Sequence, residues 1–261
     1  MKSAVHDRVE ESSPARFRHT TPEQQVLPFI VRTVRTERQL KDIQALRAKA
    51  YGHHLPGLKD AFGEADPLDL HPDVTVFYAE DKTTGEVIGA VRIQTNRSGP
   101  LQIERSMELP DEFAGKLLAE ITRLTVLPGQ PLMVRMALMK ALQMYCVTIQ
   151  VACVLAGSRS SLIRIYQNLG FSDVHEDERQ VPLLHAGNLG HRVLKCYVAS
   201  GERRLREMNN RPVYDFVFGA YHPDIVLFEP APRLSLVSSS SVPGPVPALL
   251  PVPLAKRVDV A

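Results

Sequence analysis

Residues 74–79, Val-Thr-Val-Phe-Tyr-Ala, and 87–93, Val-Ile-Gly-Ala-Val-Arg-Ile, are two runs of β-branched, aromatic and small apolar residues joined by a polar link that ends in Gly85. A link this short closes an antiparallel hairpin, since parallel strands need a crossover of about a dozen residues or more, and Gly85 can take the positive φ that a tight turn demands. An antiparallel pair early in a chain whose other segments alternate between strand and helix patterns predicts a mixed α/β sheet. It argues against a doubly wound dinucleotide-binding fold, and the missing G-x-G-x-x-G and G-x-x-x-x-G-K-[ST] patterns agree.

Around the hairpin, Phe29-Ile30-Val31 reads as a strand. A helix follows with Leu40, Ile43, Leu46 and Ala50 on one face and Thr36 with Gln39 as its capping box. Residues 52–73 hold Gly52, Pro56, Gly57, Gly63, Pro67 and Pro72, a composition that suits a long irregular connection, and loops of this length are uncommon unless functional. Residues 94–105 read as a second polar loop, 108–118 as partly helical, 119–126 as a strand stopped by Pro128-Gly129-Gln130-Pro131, 132–146 as an apolar helix rich in Met, and 147–155 as a β-branched strand. A short helix at 161–169 capped by Gly170, then extended segments at 171–174 and 192–198, complete the pattern. Tyr214, Phe216, Phe218 and Tyr221 form an aromatic cluster expected to dock on the sheet or cover a groove.

Proline placement bounds this body. Of 20 prolines, ten lie in residues 1–28 or 228–261 and ten in everything between. We expect a flexible arm at 1–28, one domain at 29–228 and an extended Pro/Ser-rich tail at 229–261. A formal charge of +2, from 31 basic and 29 acidic residues, is too small for a dedicated nucleic-acid binder. Cys146, Cys153 and Cys196 make neither a zinc pair nor a disulfide framework, so free buried thiols in a reducing, cytoplasmic setting are expected. No apolar run reaches the length of a membrane span, and the N-terminal residues do not read as a secretory signal.

Candidate chemistry gathers at the sheet's junctions: Arg92 at the end of the hairpin's second strand, Glu120 and Arg123 on the central strand, and Tyr166 just before Gly170-Phe171. Spacing alone leaves each a bland explanation. Glu120 and Arg123, three apart on a strand, point to opposite faces, and either can belong to a surface ion pair.

The stretches Val87-Ile88-Gly89-Ala90-Val91-Arg92, Glu120-Ile121-Thr122-Arg123-Leu124-Thr125-Val126 and Leu162-Ile163-Arg164-Ile165-Tyr166-Gln167-Asn168-Leu169-Gly170-Phe171 together resemble the frame of the GNAT acyltransferase superfamily. More narrowly, the chain is similar to the N-acyl amino acid synthases and the acyl-homoserine-lactone (autoinducer) synthases. Arg47 and Tyr51, with Asp66 and Asp69, resemble the front region of that branch. The resemblance covers roughly residues 30–198 and implies a GNAT-like, mostly antiparallel sheet flanked by helices, acting as an acyltransferase.

Two departures bear on the substrates. Where acetyl-coenzyme A enzymes of the superfamily carry a glycine-rich pyrophosphate loop, this chain reads Leu127-Pro128-Gly129-Gln130-Pro131, which moves the implied donor toward an acyl carrier protein. The tryptophan common in the lactone synthases is missing, since the chain has none, and that leaves an amino acid or related amine as the acceptor. No permanently bound cofactor is implied; the acyl-phosphopantetheine thioester is a co-substrate.

In the roles the resemblance implies, Glu120 takes the ammonium proton directly or through a water, and Tyr166 protonates or hydrogen-bonds the departing thiolate. Backbone donors near residues 124–127 receive the thioester oxygen, with Leu124 and Val126 as substrate-binding positions. Arg92 and Arg123 either hold a carboxylate or organise Glu120, and Arg47 is grouped with them as a substrate-binding candidate. The Met-rich helix and the aromatic cluster can border an acyl channel. Arg135, Arg159, Arg164, Arg203, Arg204 and Arg206 are candidates for carrier docking, against a plain solvated basic face. His53, His54, Asp66, Asp69, His71 and Asp73 specify no closed metal shell, and no metal is assigned. The alternatives are an acyl-coenzyme A-dependent N-acetyltransferase and a non-catalytic acyl- or partner-binding module of the same fold.

Overall fold

A computed structural model describes residues 23–54 and 65–228. The segments expected to form the arm's first 22 residues and the Pro/Ser-rich tail lie outside the described residues, as does most of the long loop after the first helix. The strands are β1 Glu23–Gln24, β2 Phe29–Thr33, β3 Val74–Asp81, β4 Val87–Thr95, β5 Leu118–Val126, β6 Cys153–Ser158, β7 Ser172–Asp173, β8 Gln180–Leu183, β9 Leu189–Tyr197, β10 Ala220–Tyr221 and β11 Ile225–Val226. The α-helices are α1 Glu37–His54, α2 Leu132–Thr148, α3 Ser160–Asn168, α4 Gly201–Glu207 and α5 Arg211–Tyr214.

Nine strands form one sheet in the order β11-β2-β3-β4-β5-β6-β9-β7, with β8 also paired to β9. Only β11–β2 and β5–β6 are parallel, so the expected mixed, mostly antiparallel sheet is the observed one. The β3–β4 hairpin turns through Gly85 at φ +70°, and Asp81 Oδ1 accepts the N–H groups of Thr83 and Thr84, which fixes the turn. At the start of α1, Thr36 N–H donates to Gln39 Oε1 while Gln39 N–H donates to Thr36 Oγ1, the reciprocal cap read from the sequence.

Three expectations are corrected. The segment 147–155 is not one strand: α2 runs on through Val147 and Thr148, and only from Cys153 does β6 begin. Tertiary packing of α2 outweighs the β preference of those two residues, and the helix ends where Gln150 adopts φ +61°. The short strand β8 is not among the expected strands; it contains Pro182 and pairs only with β9, an edge position where a missing N–H does little harm. Arg92 lies inside β4 rather than at its end.

The larger apolar cluster joins Ile43 and Leu46 of α1 and Val134, Leu138 and Leu142 of α2 to the sheet; a second, with Leu101, Ile103, Leu118, Leu155 and Leu183, lies on the other side of β5. Ala119 and Ile121 belong to the first and Leu118 to the second, so strand alternation puts Glu120 on the second side. Gly89 of β4 lets α2 approach closely: a Cβ there would sit 2.9 Å from Val134 Cγ1 and 3.2 Å from Leu138 Cδ1. Gly89→Ala is expected to cost about 1–3 kcal/mol by overpacking, read as a lower urea midpoint with an unchanged slope.

Candidate active site

β5 and β6 pair in parallel only from Leu118↔Cys153 to Ile121↔Ala156, while β5 runs on to Val126. The two strands therefore part after Ile121. On the other edge of β5 the register with β4 slips between Ala90 and Arg92, and Arg123 sits opposite that slip at φ +56°. A left-handed arginine costs about 1 kcal/mol or more and marks a bulge that bends the strand away from its neighbour. Leu127 N–H bonds the Ile88 carbonyl, so alternation along β5 turns the N–H groups of Leu124 and Val126 toward the parted edge.

A cavity of about 860 Å³, partly open to solvent, lies at this parting and is lined by Tyr51, Thr122, Arg123, Leu124, Arg159 and Tyr166, with His185 and His191 on the facing wall. Of the expected site residues, Arg123, Leu124 and Tyr166 are thus brought together on one cavity. Glu120, Arg47, Arg92 and Val126 are not on its wall. Tyr166 is buried beside the edge of Phe171, 5.2 Å away between ring centroids, and burial pushes its hydroxyl well above the usual tyrosine range, so it stays a proton donor.

Behind the cavity lies a charged cluster. Arg92, 1% exposed, donates through Nε to Thr122 Oγ1 at 2.8 Å, through Nη1 to Asp66 at 2.6 Å and Asp69 at 3.3 Å, and through Nη2 to Gln102 Oε1 at 3.2 Å. Arg47, also buried, binds Asp69 with both terminal nitrogens, and Arg123 Nη2 reaches Asp66 at 3.4 Å. Burial raises the Asp66 pKa, but the charge and hydrogen bond of Arg92 outweigh it and hold the carboxyl below its ordinary value. Asp66 also caps its own turn, accepting from Leu68 N–H at 3.1 Å. Arg47 and Arg92 are therefore engaged in organising the interior, which leaves Arg123 as the arginine of the three that meets the cavity.

Glu120 is fully buried on β5, and Oε2 accepts the N–H of Ile103 at 2.9 Å. Burial pushes its carboxyl up to about 7, opposed by that N–H and by the charge of Arg92. Its other oxygen lies 3.3 Å from His185 Nε2, a close but poorly aligned contact that leaves Oε1 without an aligned donor. His185, on the short turn Leu184–Ala186 between β8 and β9, is lowered to about 4 by burial and by the charges of Arg123, His191 and Arg92. Sequence reasoning missed His185. Its only signal was a histidine within the apolar run Leu183-Leu184-His185-Ala186, 65 residues from its partner.

A second, apolar pocket, narrow and partly open to solvent, shares Ile121 with the cavity and is lined by Met139, Leu142, Cys146, Phe171, Val217 and Phe218 among others. The aromatic cluster divides as a result: Phe218 lines this pocket, Phe216 packs against the main core, and Tyr221 is exposed. Of the Met row only Met139 borders the pocket, while Met133 and Met144 are exposed. Cys146, Cys153 and Cys196 are free and buried, and burial raises each thiol, which suits small core residues rather than nucleophiles. Among the described residues no helix is long and apolar enough to cross a membrane.

A parted pair of parallel strands with N–H groups at the bend, a buried carboxylate behind it and an apolar pocket beside it make up the candidate site of this chain. The family profile of the N-acyl amino acid synthase FeeM matches residues 42–189, more than half of the chain, and the chain belongs to that family. Among solved structures it is similar to FeeM, an N-acyl amino acid synthase from uncultured soil microbes, with 14% identity, TM-score 0.54 and coverage of 67% of this chain and 94% of that one. It is also similar to the CoA-dependent acyl-homoserine lactone synthase BjaI, with 17% identity, TM-score 0.52 and coverage of 79% and 95%. The acyl-homoserine-lactone synthase LasI gives 15% identity, TM-score 0.52 and coverage of 69% and 95%. At these identities the likeness to the solved structures is one of fold. Among curated protein sequences none matches. The mixed, mostly antiparallel sheet expected from the motifs is the one observed, and membership of this family makes the enzyme an N-acyltransferase.

Proposed function

We propose that this enzyme moves a medium or long acyl group from the phosphopantetheine thioester of an acyl carrier protein to the amine of an amino acid or related amine. The observation that carries this reading is the shared wall at Ile121, where the cavity that holds Arg123, Arg159 and Tyr166 meets an apolar pocket. The acyl chain occupies the pocket, the thioester lies at the parting of β5 and β6, and the acceptor enters the cavity beside Arg123.

In this reading the amine, once deprotonated, attacks the thioester carbon. The carbonyl electron pair moves to oxygen and is met by the N–H groups of Leu124 and Val126. The C–S bond then breaks, and the thiolate takes its proton from Tyr166 or from the attacking nitrogen. Glu120 is the proton acceptor for the ammonium, and Arg123 holds the acceptor's carboxylate. Arg47 and Arg92 serve the substrates indirectly by fixing Asp66 and Asp69.

Support for a carrier-protein donor comes from two features. Pro128 and Pro131 each lack an N–H in the turn before α2, where Gly129 at φ +84° is the sole glycine, so few backbone donors remain for a pyrophosphate. Arg135, Arg159 and Arg164 make no ion pair with any described residue and are available to an acidic partner, whereas Arg203 and Arg206 pair with Glu207 and Glu202. Three free cysteines agree with a reducing, cytoplasmic setting. We further assign the catalytic body to residues 29–228, extended at its front by 23–28, where β1 pairs with β10 and Leu27 joins the main core.

The test is to incubate the full chain with carrier protein bearing acyl chains of graded length and a mixture of amino acids, and to identify amides by mass. Products formed from acyl-coenzyme A and not from the loaded carrier would reject the donor. Val217→Trp, which fills the apolar pocket, is expected to shorten the preferred chain. Each methylene excluded should cost about 0.8 kcal/mol, or roughly fourfold in kcat/KM. An unchanged chain-length profile would exclude the pocket as the acyl site.

A further inference from the structure

His185 stands between Glu120 and the cavity. Glu120 is fully buried and does not line the cavity, whereas His185 lines it and brings Nε2 to 3.3 Å from Glu120 Oε1. Glu120 Oε2 is taken by Ile103 N–H, and among the described residues Oε1 has no aligned donor and His185 Nδ1 is buried with no aligned hydrogen-bond partner, although the Gln102 backbone lies close to both groups. A buried polar atom left alone costs about 1–3 kcal/mol, and such atoms persist where a ligand or a reaction completes them.

We propose that His185 is the catalytic base that meets the acceptor ammonium, and that Glu120 stands behind it as the carboxylate to which the ring passes the proton. The inference rests on the N-acyl transfer reading and adds the residue that touches the amine. With Glu120 ionised, His185 Nε2–H donates to Oε1, and Nδ1 carries a lone pair. As the acceptor enters it reaches Nδ1, which is closed to solvent in the free protein; the ammonium gives its proton to Nδ1, Nε2–H moves to Oε1, and the ring ends neutral with its proton on the other nitrogen. The freed amine forms the C–N bond as the C–S bond breaks. The proton still on the attacking nitrogen ends on the leaving thiolate, and the proton held by the pair returns to solvent through the ring.

The surrounding charges favour this order. Arg92 on β4, Arg123 on β5 and His191 on β9 face His185 and oppose a second proton on its ring, while Arg92 and Glu104 act in opposite senses on Glu120. The pair therefore holds one proton between about 4 and about 7, and that proton rests on the carboxyl. A base that accepts near 7 is matched to neutral pH.

Two measurements on the full chain test the relay. His185→Gln is expected to lower kcat for an amino acid acceptor by about 100- to 10,000-fold, and by less than about tenfold for hydroxylamine, which is already the unprotonated amine at neutral pH and has no ammonium proton to give up. A kcat within about threefold of wild type, where wild type makes amide, or an equal loss with both acceptors, would overturn the proposal. Wild type that makes no amide from any pair rejects the N-acyl transfer reading itself. Nitrogen-15 spectra of the histidine rings, assigned with the same variant, need no substrate. The expected result is a neutral His185 ring whose proton shifts from Nδ1 to Nε2 as pH rises through about 7. A ring that becomes cationic near its ordinary pKa, or keeps one tautomer throughout, overturns the relay.

Discussion

Glu120→Gln is expected to lower kcat by about 100- to 10,000-fold while the protein remains folded. Glutamine fits the space and accepts the Ile103 N–H through its amide oxygen, but it takes up no proton. In wild type the rate should rise with pH to a plateau above about 7, where the carboxylate forms, and the variant should lack that rise. Stability moves the other way. The folded carboxyl titrates near 7 and the unfolded one near 4.5, so between those values the folded state binds the extra proton. Wild-type stability therefore falls as pH rises through this window, by on the order of 3 kcal/mol at most. Glu120→Gln removes that slope and should match or exceed wild type in urea at alkaline pH. An unchanged rate at neutral pH would remove Glu120 from the reaction. A lost rate together with a lost fold would make its role structural.

Arg92→Ala is expected to carry the largest stability cost. The guanidinium is 1% exposed and serves Asp66, Asp69, Thr122 and Gln102 together. Truncation leaves Asp69 with Arg47 as its one guanidinium and Asp66 with only the longer contact of Arg123 at 3.4 Å. Breaking a buried pair from one side costs about 3–5 kcal/mol. Asp66, now held below its ordinary pKa, contributes stability that is present above the unfolded value and lost as pH falls through the folded one. That contribution should shrink in the variant, so the stability deficit should be largest near neutral pH and smaller in acid. Activity should fall as well, since the charge of Arg92 opposes the rise of Glu120. Arg92→Lys keeps the charge without the fork and should lie between the two. A loss below about 1 kcal/mol would mean that the cluster does not hold the strands as described.

The motifs located much of the site without identifying what each residue does there. Glu120 stood out only through the resemblance of Glu120-Ile121-Thr122-Arg123 to a family element, since spacing alone allowed a surface ion pair; its burial came from the fold. Arg92 and Arg123 looked equivalent as arginines on adjacent strands. Alternation and a bulge then sent one into the interior and left the other on the cavity.

Local chemistry decided the rest of what could be read. Periodicity gave β2 through β5 and the two long helices, turn chemistry gave the hairpin and the Gly170 cap, and reciprocal side chains gave the start of α1, because each depends on residues within one turn or one strand. The end of α2 was misread because packing against the sheet overrode the preference of Val147 and Thr148. The tertiary structure alone decided how far each charge is from water, which carboxylates share Arg92, and that His185 lies against Glu120 from 65 residues away. Burial and charge pairing belong to groups distant in sequence, so the protonation of this site is a property of the assembled sheet and not of any segment of the chain.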